Sequence, residues 1–100
     1  MSSPLADLLG KHLQRTHTSV NRLAILSGVP QRTIANWLNG YVRKPHQWQS
    51  IARVALALHL TKTETNALLF AGGHPPLSEL LSGVVIHSDR TILENFQLPD

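Results

Sequence analysis

The side chains between Gln31 and Asn36 include several that can bind the edges of DNA bases. Arg32 can donate two parallel hydrogen bonds to guanine, and Gln31 or Asn36 can bond to adenine in the same two-point manner. Thr33 and Ala35 are small enough to contact a thymine methyl group. This stretch contains no Asp or Glu, so phosphates can approach it without charge repulsion. The residue types therefore predict a base-reading surface.

Two short helices with a tight turn between them are needed to position these side chains. The pattern of apolar residues predicts one helix at Val20–Ser27 and a second, which carries the base-reading surface, at Gln31–Leu38. Gly28 can take the left-handed conformation that ends a helix, and Pro30 suits the start of the next one. This arrangement is typical of a helix-turn-helix.

The two helices also carry apolar residues that must face a common core. Helical spacing assigns these residues to the inner side of each helix, and the apolar residue of the turn joins them. The residues expected to be buried are Val20, Leu23 and Ala24, with Leu26 as a further candidate, and then Val29, Ile34, Trp37 and Leu38.

Helices are predicted on both sides of this unit as well. Ser3 and Pro4 suit the cap and the first residue of an N-terminal helix. A fourth helix is predicted to begin at Pro45. The run Thr61-Lys62-Thr63-Glu64 is a capping box, which predicts a fifth helix that continues to about Ala71.

The composition limits the class of protein. The chain has 100 residues, of which 42% are hydrophobic and 5% aromatic, and it has no cysteine. These values allow one compact aliphatic core and exclude a disulfide framework or a zinc-thiolate site. The sequence has no signal-peptide pattern and no apolar run near the roughly 20 residues of a membrane span. We therefore expect an all-α, cytoplasmic protein with no membrane partner.

Charge is divided unevenly along the chain. Residues 1–62 hold eight basic residues and one acidic residue, whereas residues 63–100 hold one basic and five acidic residues. A basic first part favours a polyanion as partner, and an acidic second part favours a different task. An ordinary solvated surface with chance asymmetry is the alternative interpretation.

Residues of the predicted turn and its two helices resemble the phage lambda repressor and Cro family, whose domains are also called xenobiotic-response-element-like. The resemblance rests on Leu23, Ala24, Gly28, Val29, Ile34 and Trp37, on the run TIANWLNGYVRKP, and on the run LALHLTKTETNALLFAGGHPP. It covers residues 5–76. It implies a five-helix lambda-repressor-like bundle at residues 1–76 that binds double-stranded DNA, with a short C-terminal extension at residues 77–100.

The resemblance also assigns site residues. The positions that contact bases in the family are held here by Gln31, Arg32, Thr33, Ala35 and Asn36. The loop that grips phosphate in the family corresponds to Asn39, Arg43 and Lys44. Many members have Gln where this chain has Val20, so the candidates for that phosphate contact are Ser19, Asn21 and Arg22.

We expect from these features a bacterial or phage transcriptional regulator of the repressor type, which reads the DNA major groove with the helix at 31–38. One such helix reads only a few base pairs, so a homodimer on a two-fold operator is expected, with half-sites roughly 34 Å apart. The alternative is the same fold used as a protein-interaction module, for example the recruiting domain of a larger signalling or toxin–antitoxin protein. The apolar, acidic extension and the missing Gln favour that alternative.

The extension at residues 77–100 permits three roles. Its pattern predicts a short helix at Leu77–Leu81, a strand at Val84–His87 and a last turn capped by Asp89. Its apolar residues can pack on the five-helix core, pair with a second subunit, or begin a linker to a further domain.

Metal binding and catalysis have little support in the sequence. The histidines show no i, i+4 pair and no neighbouring Cys or acidic cluster, and no phosphate loop, paired carboxylates or nucleophile elbow is present. We therefore expect no metal, no cofactor and no enzymatic activity. His17 and His46 flank the predicted DNA-facing elements, where they can contact phosphate or serve as plain surface residues. The histidines are His12, His17, His46, His59, His74 and His87.

Overall fold

The computed structural model describes residues 3–42, 44–83 and 92. These residues form six α-helices and no β-strand, which confirms the predicted all-α class over this part of the chain. None of these helices is long and apolar enough to cross a lipid bilayer. The helices are α1 (Pro4–Thr16), α2 (Val20–Ser27), α3 (Gln31–Leu38), α4 (Trp48–Ala57), α5 (Lys62–Ala71) and α6 (Leu77–Gly83).

Side-chain caps begin three of the helices, and two of these caps, at Ser3 and Thr61, are predicted from the sequence. The Ser3 hydroxyl accepts the N–H of Ala6 at 3.1 Å at the start of α1. At the start of α5, Thr61 and Glu64 each accept the backbone N–H of the other, at 3.1 and 2.9 Å. Ser19 caps α2 in the same way as Ser3 caps α1. These bonds satisfy N–H groups that have no partner inside the helix.

The fourth helix begins at Trp48, so its predicted start at Pro45 is wrong. Gln47 precedes the helix in an extended conformation, with φ −109° and ψ 112°. Pro45 is buried in the preceding loop, and its carbonyl oxygen lies 2.6 Å from Nε2 of His74. The carbonyl of Pro45, which the sequence pattern assigned to the first turn of the helix, thus accepts a hydrogen bond from a distant residue, and the helix begins three residues later.

The helices enclose one aliphatic core. Helix α1 packs on α3 and α5, α2 packs on α3 and α4, and α5 also contacts α4 and α6. Full burial of a leucine, isoleucine or valine side chain contributes about 1.5–3 kcal/mol relative to exposure. The largest completely buried side chains are Trp37, Leu5, Leu9, Leu23, Ile34, Ile51, Leu68, Leu69 and Leu77.

Helix α6 joins this core at its first residue. Leu77, the first residue of the predicted extension, is completely buried, and its backbone N–H donates to Oδ1 of Asn66 at 2.9 Å. The short helix predicted at Leu77–Leu81 is confirmed and extends to Gly83. Ile92 packs against the core as a partly buried residue. The strand predicted at Val84–His87 and the turn after it lie outside the described residues, Ile92 excepted.

Candidate nucleic-acid interface

Helix α3 buries one side and leaves the other side open. Ile34 is completely buried and Trp37 is 2% exposed. Successive residues are about 100° apart around a helix, which places Arg32 nearly opposite these two core residues and Thr33 at the flank of the helix. Gln31, Arg32 and Asn39 are exposed, and Thr33, Ala35 and Asn36 are partly buried. We call the side formed by Gln31, Arg32, Ala35, Asn36 and Asn39 the outer face of α3.

The turns at both ends of α3 fix where this outer face points. Gly28 has φ 75° in the turn before the helix, and Val29 is buried there at 3% exposure. After the helix, Gly40 has φ 76°. The N–H of Tyr41 bonds to the carbonyl of Asn36 at 3.0 Å, and the N–H of Gly40 bonds to that of Trp37 at 3.1 Å. These two bonds form a Schellman motif, which turns the chain sharply into the following loop.

The polar side chains of α3, and that of Asn39 directly after it, make no hydrogen bond to any residue that the structure describes. Elsewhere in the fold, Ser and Thr hydroxyls are mostly used for helix caps or for bonds to backbone carbonyls. Amide and guanidinium groups without an internal partner keep their full hydrogen-bonding capacity for water or a ligand. The unengaged side chains are those of Gln31, Arg32, Thr33, Asn36 and Asn39.

The start of α2 presents polar and apolar residues together. The Ser19 hydroxyl accepts the N–H of Arg22 at 3.1 Å, so one of its acceptor sites already serves the helix cap. Asn21 and Arg22 are exposed. On the same side of α2, Ile25 is 75% exposed and Leu26 is 52% exposed. The three residues proposed from the sequence for phosphate contact thus lie beside an exposed apolar pair.

The candidate burial of Leu26 is therefore wrong. Helix α2 has only two turns, and it packs on α3 and α4. Leu23 is completely buried, whereas Val20 and Ala24 are partly buried. Leu26 lies outside the side that these partners cover. Periodicity alone cannot reveal this difference because a helix with three large apolar residues near one another allows more than one buried side.

A groove lies between α3 and the start of α4. It has a volume of about 470 Å³. Thr33 and Asn36 line it from α3, and His46, Gln47 and Ser50 line it from the opposite wall. Gln47 and Ser50 were not among the residues predicted from the sequence, since their position beside α3 depends on the path of the loop. Their amide and hydroxyl groups add hydrogen-bonding capacity next to the outer face.

The loop after α3 supplies a further cation. Lys44 is exposed and Pro45 is buried, so the chain dips toward the core directly after the lysine. Arg43, the other basic residue predicted to contact phosphate, lies outside the described residues. Lys44, Arg32 and Arg22 make no ion pair within the described chain. Three cations on α2, on α3 and in the loop after α3 are therefore not neutralised by a carboxylate of the described residues.

A second group of charges lies between α1 and α5. Arg15 forms an ion pair with Glu64 at 3.4 Å and donates to Nδ1 of His12 at 3.1 Å. Burial lowers the pKa of His12, an effect that Glu64 partly offsets and Arg15 increases. The backbone N–H of Thr61 is the largest cause that lowers the pKa of Glu64, and Arg15 adds to it. Arg15 is thus engaged inside the fold, unlike the cations of α2 and α3.

Comparison of this chain with family models, curated proteins and solved structures gives no match.

Proposed function

We propose that this protein binds double-stranded DNA in a sequence-specific manner as a transcriptional regulator, with α3 in the major groove. The observation that carries the proposal is the outer face of α3, where an exposed arginine and several amides make no hydrogen bond to any residue of the described ranges. No carboxylate occurs in α2 or α3. An α-helix with its side chains is about 10–12 Å in diameter, which fits the B-DNA major groove of about 12 Å.

The bases would be read by a subset of these residues. Arg32 is the candidate for guanine, and Gln31 and Asn36 are the candidates for adenine, while Ala35 and Thr33 offer apolar contact to a thymine methyl group. Thr33 lies at the flank of α3, in the protein groove that Gln47 also lines. We therefore propose that its base contact lies at the edge of the DNA-binding surface, next to Gln47.

Affinity would come from contacts to the DNA backbone. Lys44 and Arg22 are the described cations best placed for phosphate, and Asn39, Asn21 and Ser19 can donate neutral hydrogen bonds. Each phosphate that a cation neutralises releases counterions, so binding would weaken steeply as the salt concentration rises.

We also propose the architecture that the sequence resemblance implies, namely the five-helix domain of the lambda repressor and Cro type with a C-terminal extension. The described order of α1 to α5, with the turn at Gly28 between α2 and α3, supports it. A homodimer on a two-fold operator is part of the proposal, because an eight-residue helix reads too few base pairs to select one site in a genome. A cytoplasmic location would follow from this function.

Selection from random duplexes with the full chain tests the proposal. The expected result is an enriched motif, in the form of an inverted repeat with half-sites roughly 34 Å apart if the protein acts as a dimer. An enriched single short motif without a repeat would contradict the proposed dimer and support the DNA-binding function. Absence of any enrichment, together with salt-insensitive binding to random duplex DNA, would overturn the proposal.

A second candidate function is a protein-interaction module. The exposure of Ile25 and Leu26 on α2 favours it, because large adjacent apolar side chains on a surface often mark a binding site. A salt titration separates the two candidates. A DNA-binding protein loses affinity for random duplex DNA by orders of magnitude between about 50 and 200 mM salt, whereas an interaction module has little affinity to lose.

A further inference from the structure

The loop that carries Lys44 is held by a distant part of the chain. Nε2 of His74 lies 2.6 Å from the carbonyl oxygen of Pro45, although the two residues are 29 positions apart. A carbonyl oxygen can only accept a hydrogen bond, so Nε2 must carry the proton and donate it. The neutral ring with a proton on Nε2 and the doubly protonated ring both provide this donor.

The neighbouring residues make a second contact between the same two segments. A Cβ on Gly73 would lie 3.2 Å from Cδ of Lys44 and 3.3 Å from its Cγ. The aliphatic part of Lys44 therefore lies directly against the backbone of Gly73. The side chain is nevertheless exposed overall, as expected for a lysine whose carbon chain packs while its ammonium group stays in water.

The segment that makes these contacts is itself fixed by the core. At the end of α5, the N–H of Gly73 bonds to the carbonyl of Phe70, and the N–H of His74 bonds to that of Leu69, each at 2.9 Å. This is the bonding pattern of a Schellman motif. Leu69 is completely buried, so the turn that bears His74 is attached to the core of the fold.

We infer that His74 is a positioning residue for Lys44, and that Gly73 and His74 together hold the loop after α3 ready to bind a DNA phosphate. This inference rests on the proposed DNA-binding function. A loop ordered before binding loses less conformational entropy when it meets its ligand, so more of the contact energy becomes affinity. His74 thus strengthens phosphate binding without contacting DNA.

The affinity of the full chain for a random duplex, measured over a range of salt concentrations, tests whether His74 positions Lys44. Lys44→Ala should lower the slope of log K against log salt by about 1. His74→Leu removes the donor and keeps a side chain of similar size, and it should lower the affinity for the duplex because Lys44 is no longer held in place. The double variant should lose no more affinity than Lys44→Ala alone, because both changes affect the same phosphate contact.

Two substitutions separate positioning from a general effect on stability. His74→Gln places an amide N–H near the position of Nε2 and should restore the affinity of the wild-type protein. His59→Gln is the matched control, because His59 is exposed at the end of α4, and it should leave the affinity unchanged. The inference is overturned if His74→Leu keeps the wild-type affinity, if the double variant shows the sum of both losses, or if Gln fails to restore binding.

Nuclear magnetic resonance on the wild-type protein tests the positioning of Lys44 by His74 even where a variant does not fold. The ring of His74 should carry its proton on Nε2, and the backbone amide of Lys44 should be as rigid as those of the helices. A proton on Nδ1 alone, or a mobile Lys44 amide, overturns the inference. If the protein binds no DNA while both observations hold, the proposed function fails and the positioning of Lys44 by His74 stands.

Discussion

The Cδ1 methyl group of Ile51 lies only 2.6 Å from the point where a Cβ on residue 72 would be. Ile51 is completely buried in α4, and Gly72 is buried directly after α5. The two residues therefore share one space, and the absence of a side chain on Gly72 allows α4 and α5 to approach. Its φ of −86° is accessible to any residue, so contact with Cδ1 of Ile51, not backbone conformation, disfavours a side chain here.

Gly72→Ala should lower the free energy of unfolding by about 1–3 kcal/mol, the usual cost of an extra methyl group in a packed core. Urea denaturation followed by circular dichroism measures this change. In the Ile51→Val background the clashing Cδ1 is absent, so the same substitution should cost less there. Equal costs in both backgrounds would show that Cδ1 is not the obstacle.

Gly10→Ala should have the opposite effect. Gly10 lies inside α1, and a Cβ at this position would meet no atom within 4 Å. Alanine reduces the conformational freedom of the unfolded chain and favours the helix, so we expect a gain of about 0.5–1 kcal/mol. The melting temperature should rise by several degrees for a chain of this size. An unchanged or lower melting temperature would contradict this expectation.

His59→Gly should also stabilise the protein. His59 has φ 56° after α4, a left-handed conformation that disfavours residues with a Cβ. The N–H of Leu60 bonds to the carbonyl of Ala55 at 3.0 Å across this turn, so the conformation belongs to the helix end. We expect a gain of about 1 kcal/mol in urea denaturation. His59→Ala keeps the Cβ and should bring no comparable gain.

Acidification should destabilise the fold through His12. Its pKa in the folded protein lies below the ordinary value of 6.5, mainly because of burial. The folded state therefore binds fewer protons than the unfolded state. The contribution of His12 to the free energy of unfolding is fully present above the ordinary pKa, and it is lost as the pH drops through the lower pKa of the folded state. Protonation also removes the acceptor that Nδ1 offers to Arg15 at 3.1 Å.

Urea midpoints measured between about pH 7.5 and 5.5 test this dependence on the titration of a histidine. The midpoint should fall toward low pH, and His12→Gln should show a smaller fall because its side chain does not titrate. Glu64 should add a further loss at lower pH, since its pKa is also lowered in the folded state. A midpoint independent of pH in the wild-type protein would contradict the expectation.

Arg32→Ala should weaken binding to a selected DNA site by about 1–3 kcal/mol and relax the preference at one base pair. Arg53→Ala is the control with the same change in charge, because Arg53 is exposed on α4 and belongs neither to α3 nor to the loop after it. Competition binding with single-base variants of the site measures both effects. Equal losses for the two substitutions would remove the base-reading role from Arg32.

Local signals in the sequence predicted the helices well where the backbone N–H and C=O groups at a helix end bond to residues nearby in the chain. The Ser3 cap, the capping box at Thr61-Lys62-Thr63-Glu64 and the stop at Gly28 all involve partners within a few residues. Such bonds depend little on the rest of the fold. The residue types of the outer face of α3 were likewise readable, because helical spacing alone separates them from Ile34 and Trp37.

The sequence by itself thus determined the helical class, the boundaries of α2 and α3 and the identity of the residues proposed to read DNA. The tertiary structure decided that Leu26 is exposed, that Gln47 and Ser50 lie beside α3, and that His74 holds the loop of Lys44. Each of these features depends on segments far apart in the chain. Periodicity and capping report only on neighbours within a turn or two, so contacts across the fold become visible only when the helices are packed together.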